Sequence, residues 1–305
     1  MWRNKLKRTF EKILFTMTFF TVGFACCSKS SSGNVSGEGN VRREKIVSSE
    51  NASSSGTISA RGGVEDTEIL RKIEKLDSVL EKMSPRFKSK VQIGDKKEFL
   101  ADLEKVLASE ADFSADDLSP FFLIDKKNFV GEDYVPKNLV HLEKNDLYNI
   151  TKNSLNLRPE AFDALKTLSQ AAKNDGVTLT VGSTYRSYEY QKNLFDYWVR
   201  VDGLEEAERE SARPGTSQHQ LGLALDFSPI DDDFAETEAG RWVYKNAAKY
   251  GWSLSFPKNY EDVTGYRWES WHFRYIGTEA VRFQEKYFDD VQQFMIEFID
   301  GWKKN

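Results

Sequence analysis

Cysteine is nearly missing from this 305-residue chain: Cys26 and Cys27 stand side by side near its start, and none follows. The region beyond them has neither a disulfide nor a thiol nucleophile, whatever its redox compartment, so cysteine chemistry is excluded. Long apolar runs are missing too. The uncharged stretch Ile13 to Ala25 has thirteen residues, short for a permanent bilayer span of about 20. A basic excess is also lacking, with 43 Lys and Arg against 48 Asp and Glu, a net charge of −5. Removing residues 1–25, which hold five basic residues and one acidic, brings it to −9. An acidic protein of this kind is a poor nucleic-acid binder. There are no internal repeats, and only three histidines, His141, His219 and His272.

What the start does have is a targeting pattern. Arg3, Lys5, Lys7, Arg8 and Lys12 precede the apolar run, and the small residues Gly23 and Ala25 lead up to Cys26, with Phe24 departing from the usual pattern. This resembles a bacterial lipoprotein signal over residues 1–25, with cleavage before Cys26 and lipid on its sulfur; Cys27 is a second candidate. Residues 26–63, rich in Ser and Gly, read as a flexible tether that cannot bury enough surface to offset chain entropy. Such a chain holds its load roughly 30 Å from the anchor.

Residues 64–118 read as a helical extension. Between Asp66 and Met83, Ile69, Ile73, Leu76, Leu80 and Met83 alternate spacings of four and three, one apolar stripe of an amphipathic helix. Its expected partner is Lys97 to Ser109, with Phe99, Leu103 and Leu107. Residues 119–305 read as the main domain. There, Pro159 begins a helix that stops at Gly176, Val177 to Val181 is a strand, and Ser187 caps a helix carrying Gln191, with Leu194, Phe195 and Trp198 toward the core. Another helix spans Glu236 to Tyr250, before a strand at Trp252 to Phe256. The order of elements points to an α+β fold, with a small, mostly antiparallel sheet flanked by helices.

Two stretches organise this domain. In Ser217-Gln-His-Gln-Leu-Gly-Leu-Ala-Leu-Asp226, read as a strand from Gly222 to Phe227, Leu223, Leu225 and Phe227 share one face and Gly222, Ala224 and Asp226 the other. In Glu269-Ser-Trp-His-Phe-Arg-Tyr275, His272 and Arg274 lie opposite Trp271, Phe273 and Tyr275. One face of each strand is core, and the other brings Asp226, His272 and, from just upstream, His219 to one point. Three ligands of these types with a fourth position open suit a catalytic zinc site, whereas a structural site closes all four. Glu269 is the spare carboxylate that could act as base toward a metal-activated water. His141 lies outside both stretches and is taken as structural.

The residues Tyr185-Arg-Ser-Tyr-Glu-Tyr-Gln191, Ala212-Arg-Pro-Gly-Thr-Ser-Gln-His219, the Gly222 to Asp226 strand and Glu269-Ser-Trp-His-Phe-Arg-Tyr-Ile-Gly277 resemble the VanY-type D-alanyl-D-alanine carboxypeptidases, in four blocks in the family's order. The resemblance implies that His219, Asp226 and His272 bind zinc, that Glu269 is the general base, and that Gln191 and Ser217 contact substrate. For Arg186, in the Tyr-Arg-Ser context shared with the family, a guanidinium near zinc would stabilise charge on the scissile carbonyl oxygen or grip a substrate carboxylate. Trp271 is expected to be partly core and partly wall of the substrate-binding pocket. The chain departs from the family in having Ser255-Phe256-Pro257 where many members carry Arg-Tyr-Pro, and Ser270 where proline is common.

These readings lead to the expectation of a lipid-anchored zinc carboxypeptidase in a bacterial cell envelope, trimming a terminal D-alanine from peptidoglycan stem peptides. The rivals are an L,D-carboxypeptidase acting on tetrapeptide stems, which shares the same motifs, and a noncatalytic zinc-containing envelope-binding lipoprotein. The presence of Glu269 favours an enzyme over the latter.

Overall fold

The computed structural model describes residues 58–305, with side chains from residue 67. The expected signal segment and most of the tether lie outside the described residues. Residues 58–63, assigned by composition to the tether, are instead the first turns of α1 (Ile58–Lys82). Once a helix is nucleated, each further residue adds a hydrogen bond at little cost, so it runs past the poor helix formers Gly62 and Gly63.

Two short helices follow, α2 (Pro85–Lys90) and α3 (Lys96–Ala108). Ser84 caps α2 by accepting from the Phe87 amide, and Asp95 caps α3 by accepting from those of Lys97 and Glu98. After an irregular stretch come β1 (Val140–His141), β2 (Tyr148–Ile150) and β3 (Asn156–Leu157), then α4 (Pro159–Asn174) and β4 (Leu179–Ser183). Next are α5 (Tyr188–Asp202), α6 (Leu204–Glu210), β5 (Ala224–Phe227), α7 (Glu238–Asn246) and β6 (Trp252–Leu254). The chain ends with α8 (Glu261–Thr264), β7 (His272–Tyr275), α9 (Thr278–Tyr287) and α10 (Gln292–Lys304). No helix among the described residues is long and apolar enough to cross a membrane.

Five strands form the main sheet in the order β2-β4-β5-β7-β6. Only β2 and β4 are parallel; the other pairs are antiparallel. The alternation expected for β5 and β7 is present, because Leu223, Leu225, Phe227, Trp271 and Phe273 join one buried cluster with Leu165 and Leu168 of α4 and Val243 of α7. At about 1.5–3 kcal/mol for each fully buried large apolar side chain, that face fixes the register, since a one-residue slip would expose all of it. The strand at β5 starts at Ala224, later than the expected Gly222, for a reason that matters to the site.

A second cluster joins the two ends of residues 63–305, which form one compact unit. Leu76, Val79, Phe87, Phe99 and Leu103 pack with Phe283, Phe288, Phe294 and Phe298. Phe99 meets the Phe298 ring edge-on, with centroids 5.3 Å apart. The expected pairing of α1 with α3 is part of this cluster. Its burial against α9 and α10 is a contact across about two hundred residues that no local pattern announces.

Candidate active site

Register brings the first two predicted ligands together: Asp226 on β5 is the direct partner of His272 on β7. Both project from the face opposite the Leu225 and Phe273 core. His219 arrives from a short 3₁₀ turn, Gln218–Leu221, entered through Ser217, whose hydroxyl accepts from the His219 amide at 3.3 Å. Gly222 closes that turn in the left-handed region at φ 69°. A Cβ there would stand 3.1–3.2 Å from Leu139, Arg158 and Pro136, so glycine is demanded twice over. The turn delays the strand to Ala224 and folds His219 back over Asp226.

The tautomers follow from the outer partners. Nδ1 of His219 lies 2.7 Å from the Thr184 carbonyl, which can only accept, so Nε2 carries the lone pair. Thr184 follows an irregularity in β4, where Val181 and Ser183 pair with the consecutive residues Phe227 and Asp226. Nε2 of His272 lies 3.2 Å from Oε1 of Gln218, which leaves the lone pair on Nδ1. Both lone pairs face one carboxylate. His272 Nδ1 is 2.9 Å from Asp226 Oδ1, and His219 Nε2 is 3.2 Å from Asp226 Oδ2. The two rings stand edge to face, with centroids 4.8 Å apart.

Electron-rich atoms converging like this, all within 4.8 Å of one another and all buried, are stable only with positive charge among them. Burial, aided by the Arg186 charge, pushes His219 down to about 4, so near neutrality it supplies no proton. Burial would raise Asp226, but attraction to His219 and His272 when these rings carry a proton outweighs it and holds the carboxyl well below its ordinary value. His219 Nε2 has no hydrogen-bond partner among the described residues. A nitrogen and oxygen donor set with outer acceptors fixing both rings fits a divalent ion, zinc above all.

Two further predicted residues border this group. Glu269, mostly buried at 8 % exposure, places Oε2 3.7 Å from His272 Nδ1, and its amide donates to the Phe256 carbonyl at 3.1 Å. Arg186 sends Nη2 to 3.8 Å from Asp226 Oδ2, while its amide donates to the His219 carbonyl. His219, Asp226, His272, Glu269 and Arg186 are therefore one cluster.

Three other candidates are placed differently. Gln191 is buried, with its amide nitrogen 2.7 Å from the Ala212 carbonyl and 3.3 Å from the Ser211 hydroxyl, so it ties α5 to the loop leading to His219. Ser217 is buried as the cap of the 3₁₀ turn. Trp271 packs in the core, on the strand face opposite His272, which is the core half of its expected role; the Arg267 guanidinium lies 5.5 Å from its ring. Arg274 shares the His272 face as expected, yet it is buried and donates to the Pro120 and Phe122 carbonyls at 2.7 and 3.0 Å. His141 is exposed on β1, outside the cluster.

Sequence reasoning missed Gln218 and Gln292, and saw Ser255 only as a departure from the family pattern. The Ser255 hydroxyl donates to Gln218 Oε1 at 2.7 Å and lies 3.3 Å from Gln292 Oε1, so a buried polar chain runs from His272 to α10. Phe256, the other departure from the family pattern, lays its ring against the His272 imidazole, centroids 4.8 Å apart. Nothing in the sequence marks Gln292, which stands in a different element; Gln218 could have been suspected only from its place beside His219.

The chain matches the family model described as "VanY: D-alanyl-D-alanine carboxypeptidase" over residues 154–278, a span that contains all four blocks. It is 38% identical over 184 residues to YodJ of Bacillus subtilis (strain 168), a protein given the name of a carboxypeptidase, with 56% of this chain and 67% of that protein aligned. It is 30% identical over 186 residues to a D-alanyl-D-alanine carboxypeptidase of Enterococcus faecalis (strain ATCC 700802 / V583), covering 58% and 66% of the two. The chain thus spans about two thirds of the length of these curated relatives. Among solved structures, the LdcB LD-carboxypeptidase is 37% identical with a TM-score of 0.50, over 58% of this chain and 84% of that one. By these likenesses, and by the sheet on which the shared blocks meet, the chain belongs to the VanY family of D-alanyl-D-alanine carboxypeptidases.

Proposed function

We propose that this protein is a zinc-dependent carboxypeptidase that removes the terminal D-alanine from peptidoglycan stem peptides. The observation that carries the reading is the convergence of two imidazole lone pairs on the Asp226 carboxylate, with Glu269 at its edge. His219 Nε2, His272 Nδ1 and an Asp226 oxygen would hold the ion. Bound there, zinc supplies Lewis-acid polarisation of the scissile carbonyl and a lowered pKa for the attacking water.

The chain's own groups do the rest. Glu269 takes a proton from the water as its oxygen bonds to the carbonyl carbon. When the carbon–nitrogen bond breaks, Glu269 returns that proton to the amine of the departing D-alanine. Arg186 offers a guanidinium to the negative charge on the carbonyl oxygen or to the substrate's terminal carboxylate. Gln218 and the Thr184 carbonyl hold the two imidazoles in the tautomers this requires.

The N-terminal pattern supports a lipid anchor at Cys26 or Cys27, placing the enzyme in a bacterial envelope with its site facing the peptidoglycan. A second reading, cleavage of tetrapeptide stems as an L,D-carboxypeptidase, is favoured by the likeness to LdcB. Synthetic pentapeptide and tetrapeptide stems, assayed for released D-alanine with and without a chelator, test both. Release from the pentapeptide alone, abolished by chelation, is the expected result. Release from the tetrapeptide alone moves the assignment to L,D cleavage, and release that survives chelation contradicts the zinc reading.

A further inference from the structure

Behind the sheet lies a cleft of about 590 Å³ whose walls include Arg241, Tyr244, Lys245, Leu254, Lys258 and Trp268. No acidic residue lines it, although the chain is acidic overall. Elsewhere cations are widely paired: Lys72, Lys96, Lys286 and Arg209 each contact a carboxylate. Among the described residues the three cleft cations have no carboxylate partner. Arg241 donates to the Glu236 carbonyl, and the Lys258 ammonium sits 3.7 Å from the centroid of the Trp268 ring. That contact holds one charge in place over an aromatic face, so little of its freedom is left to lose on binding.

The cleft's position separates it from the reaction. Leu254 is the register partner of Phe273, and the Tyr244 ring stands 5.9 Å from Phe273. Phe273 and His272 are neighbours on one strand and point to opposite faces. The cleft therefore opens on the α7 side, away from the His and Asp cluster. It still approaches the cluster in the chain, because Trp268 immediately precedes Glu269.

We infer that this cleft is a second binding site for the carboxylates of peptidoglycan stem peptides. The inference rests on the substrate proposed above: an insoluble polymer bearing carboxylates at repeating positions. Three cations and two aromatic rings in one cleft suit an anionic peptide. One stem held there raises the local concentration of others near the reacting site, as in any two-point attachment. The attraction is between exposed charges, so it weakens as salt shortens the Debye length below about 8 Å.

The test is cosedimentation of the zinc-loaded full chain with insoluble peptidoglycan stripped of phosphodiester polymers. It compares wild type, Lys245→Glu/Lys258→Glu and the charge-keeping Lys245→Arg/Lys258→Arg. Wild type and the arginine variant are expected to bind. The glutamate variant is expected to bind at least about tenfold more weakly, yet release D-alanine from a short soluble stem at an unchanged rate. Equal sedimentation of the glutamate variant and wild type overturns the inference. So does binding that appears only when phosphodiesters are left on the wall, which would make those the ligand. A fall in soluble-stem turnover equal to the fall in binding also overturns it, since the cleft would then be part of the reacting groove. Because sedimentation needs no turnover, failure of the proposed reaction itself would be seen separately.

Discussion

Gln218 sets its side-chain oxygen 3.2 Å from Nε2 of His272, fifty-four residues away in sequence, while its neighbour His219 faces the same carboxylate from the other side. One dipeptide would thus supply one proposed ligand and the support of another. Deleting the support should loosen the metal without abolishing the site. Gln218→Leu is expected to weaken zinc by roughly 10- to 100-fold, read by competition with a chelator. Gln292→Leu, one step further along the same chain through Ser255, should give a smaller loss in the same direction.

The metal itself gives the next expectation. Purified wild type should carry about one zinc per chain, and His219→Ala and His272→Ala should carry little, by elemental analysis. Full zinc in both variants would mean that the ion sits elsewhere.

Acid should act on the metal-free protein in a defined window. His219 is pushed from its ordinary 6.5 down to about 4, so the unfolded chain binds its proton first as pH falls. Stability from this group is complete above pH 6.5 and is lost progressively down to about 4, on the order of 3 kcal/mol in all. Asp226, also held low, adds loss in the same direction below 3.8. Denaturant melts of chelated protein at pH 7 and pH 4.5 check this, and equal midpoints would contradict it.

The alternation of Leu223, Leu225 and Phe227 against Asp226, and of Phe273 against His272, was legible because period-two patterning reports a half-buried strand directly. It brought the three proposed ligands to one point, and the spare carboxylate three residues before His272 followed from spacing. The late start of β5 was less visible: Gly222 reads as a small strand residue, but its positive φ makes it the end of a turn. Trp271 lies on the core side by the same alternation that places His272. The roles of Gln191 and Ser217 depend on where a loop passes, since one amide binds the Ala212 carbonyl and one hydroxyl caps a turn. The support from Gln292 and the packing of α3 on α10 are contacts of high sequence separation, and single-sequence periodicity carries no information about them.

The anchor is a separate expectation, resting on residues outside those described. Wild type should partition into detergent, since acylation gives stable attachment only when more than one chain is present. Cys26→Ala should move it to the aqueous phase if Cys26 is the lipidated residue, and Cys27→Ala should do so if the second cysteine is. A wild type found wholly in the aqueous phase contradicts the lipoprotein reading.

The central claim is that Glu269 moves a proton beside a metal it does not hold, and Glu269→Gln tests it most directly. The substitution keeps size and a hydrogen-bonding tip but cannot accept a proton. Zinc content and thermal stability should stay near wild type, while D-alanine release falls by ~10² to 10⁴, about 3–5 kcal/mol of barrier. Zinc retained with full D-alanine release would contradict the account, because the base would then be another group; loss of zinc would make Glu269 a ligand and end the three-ligand site.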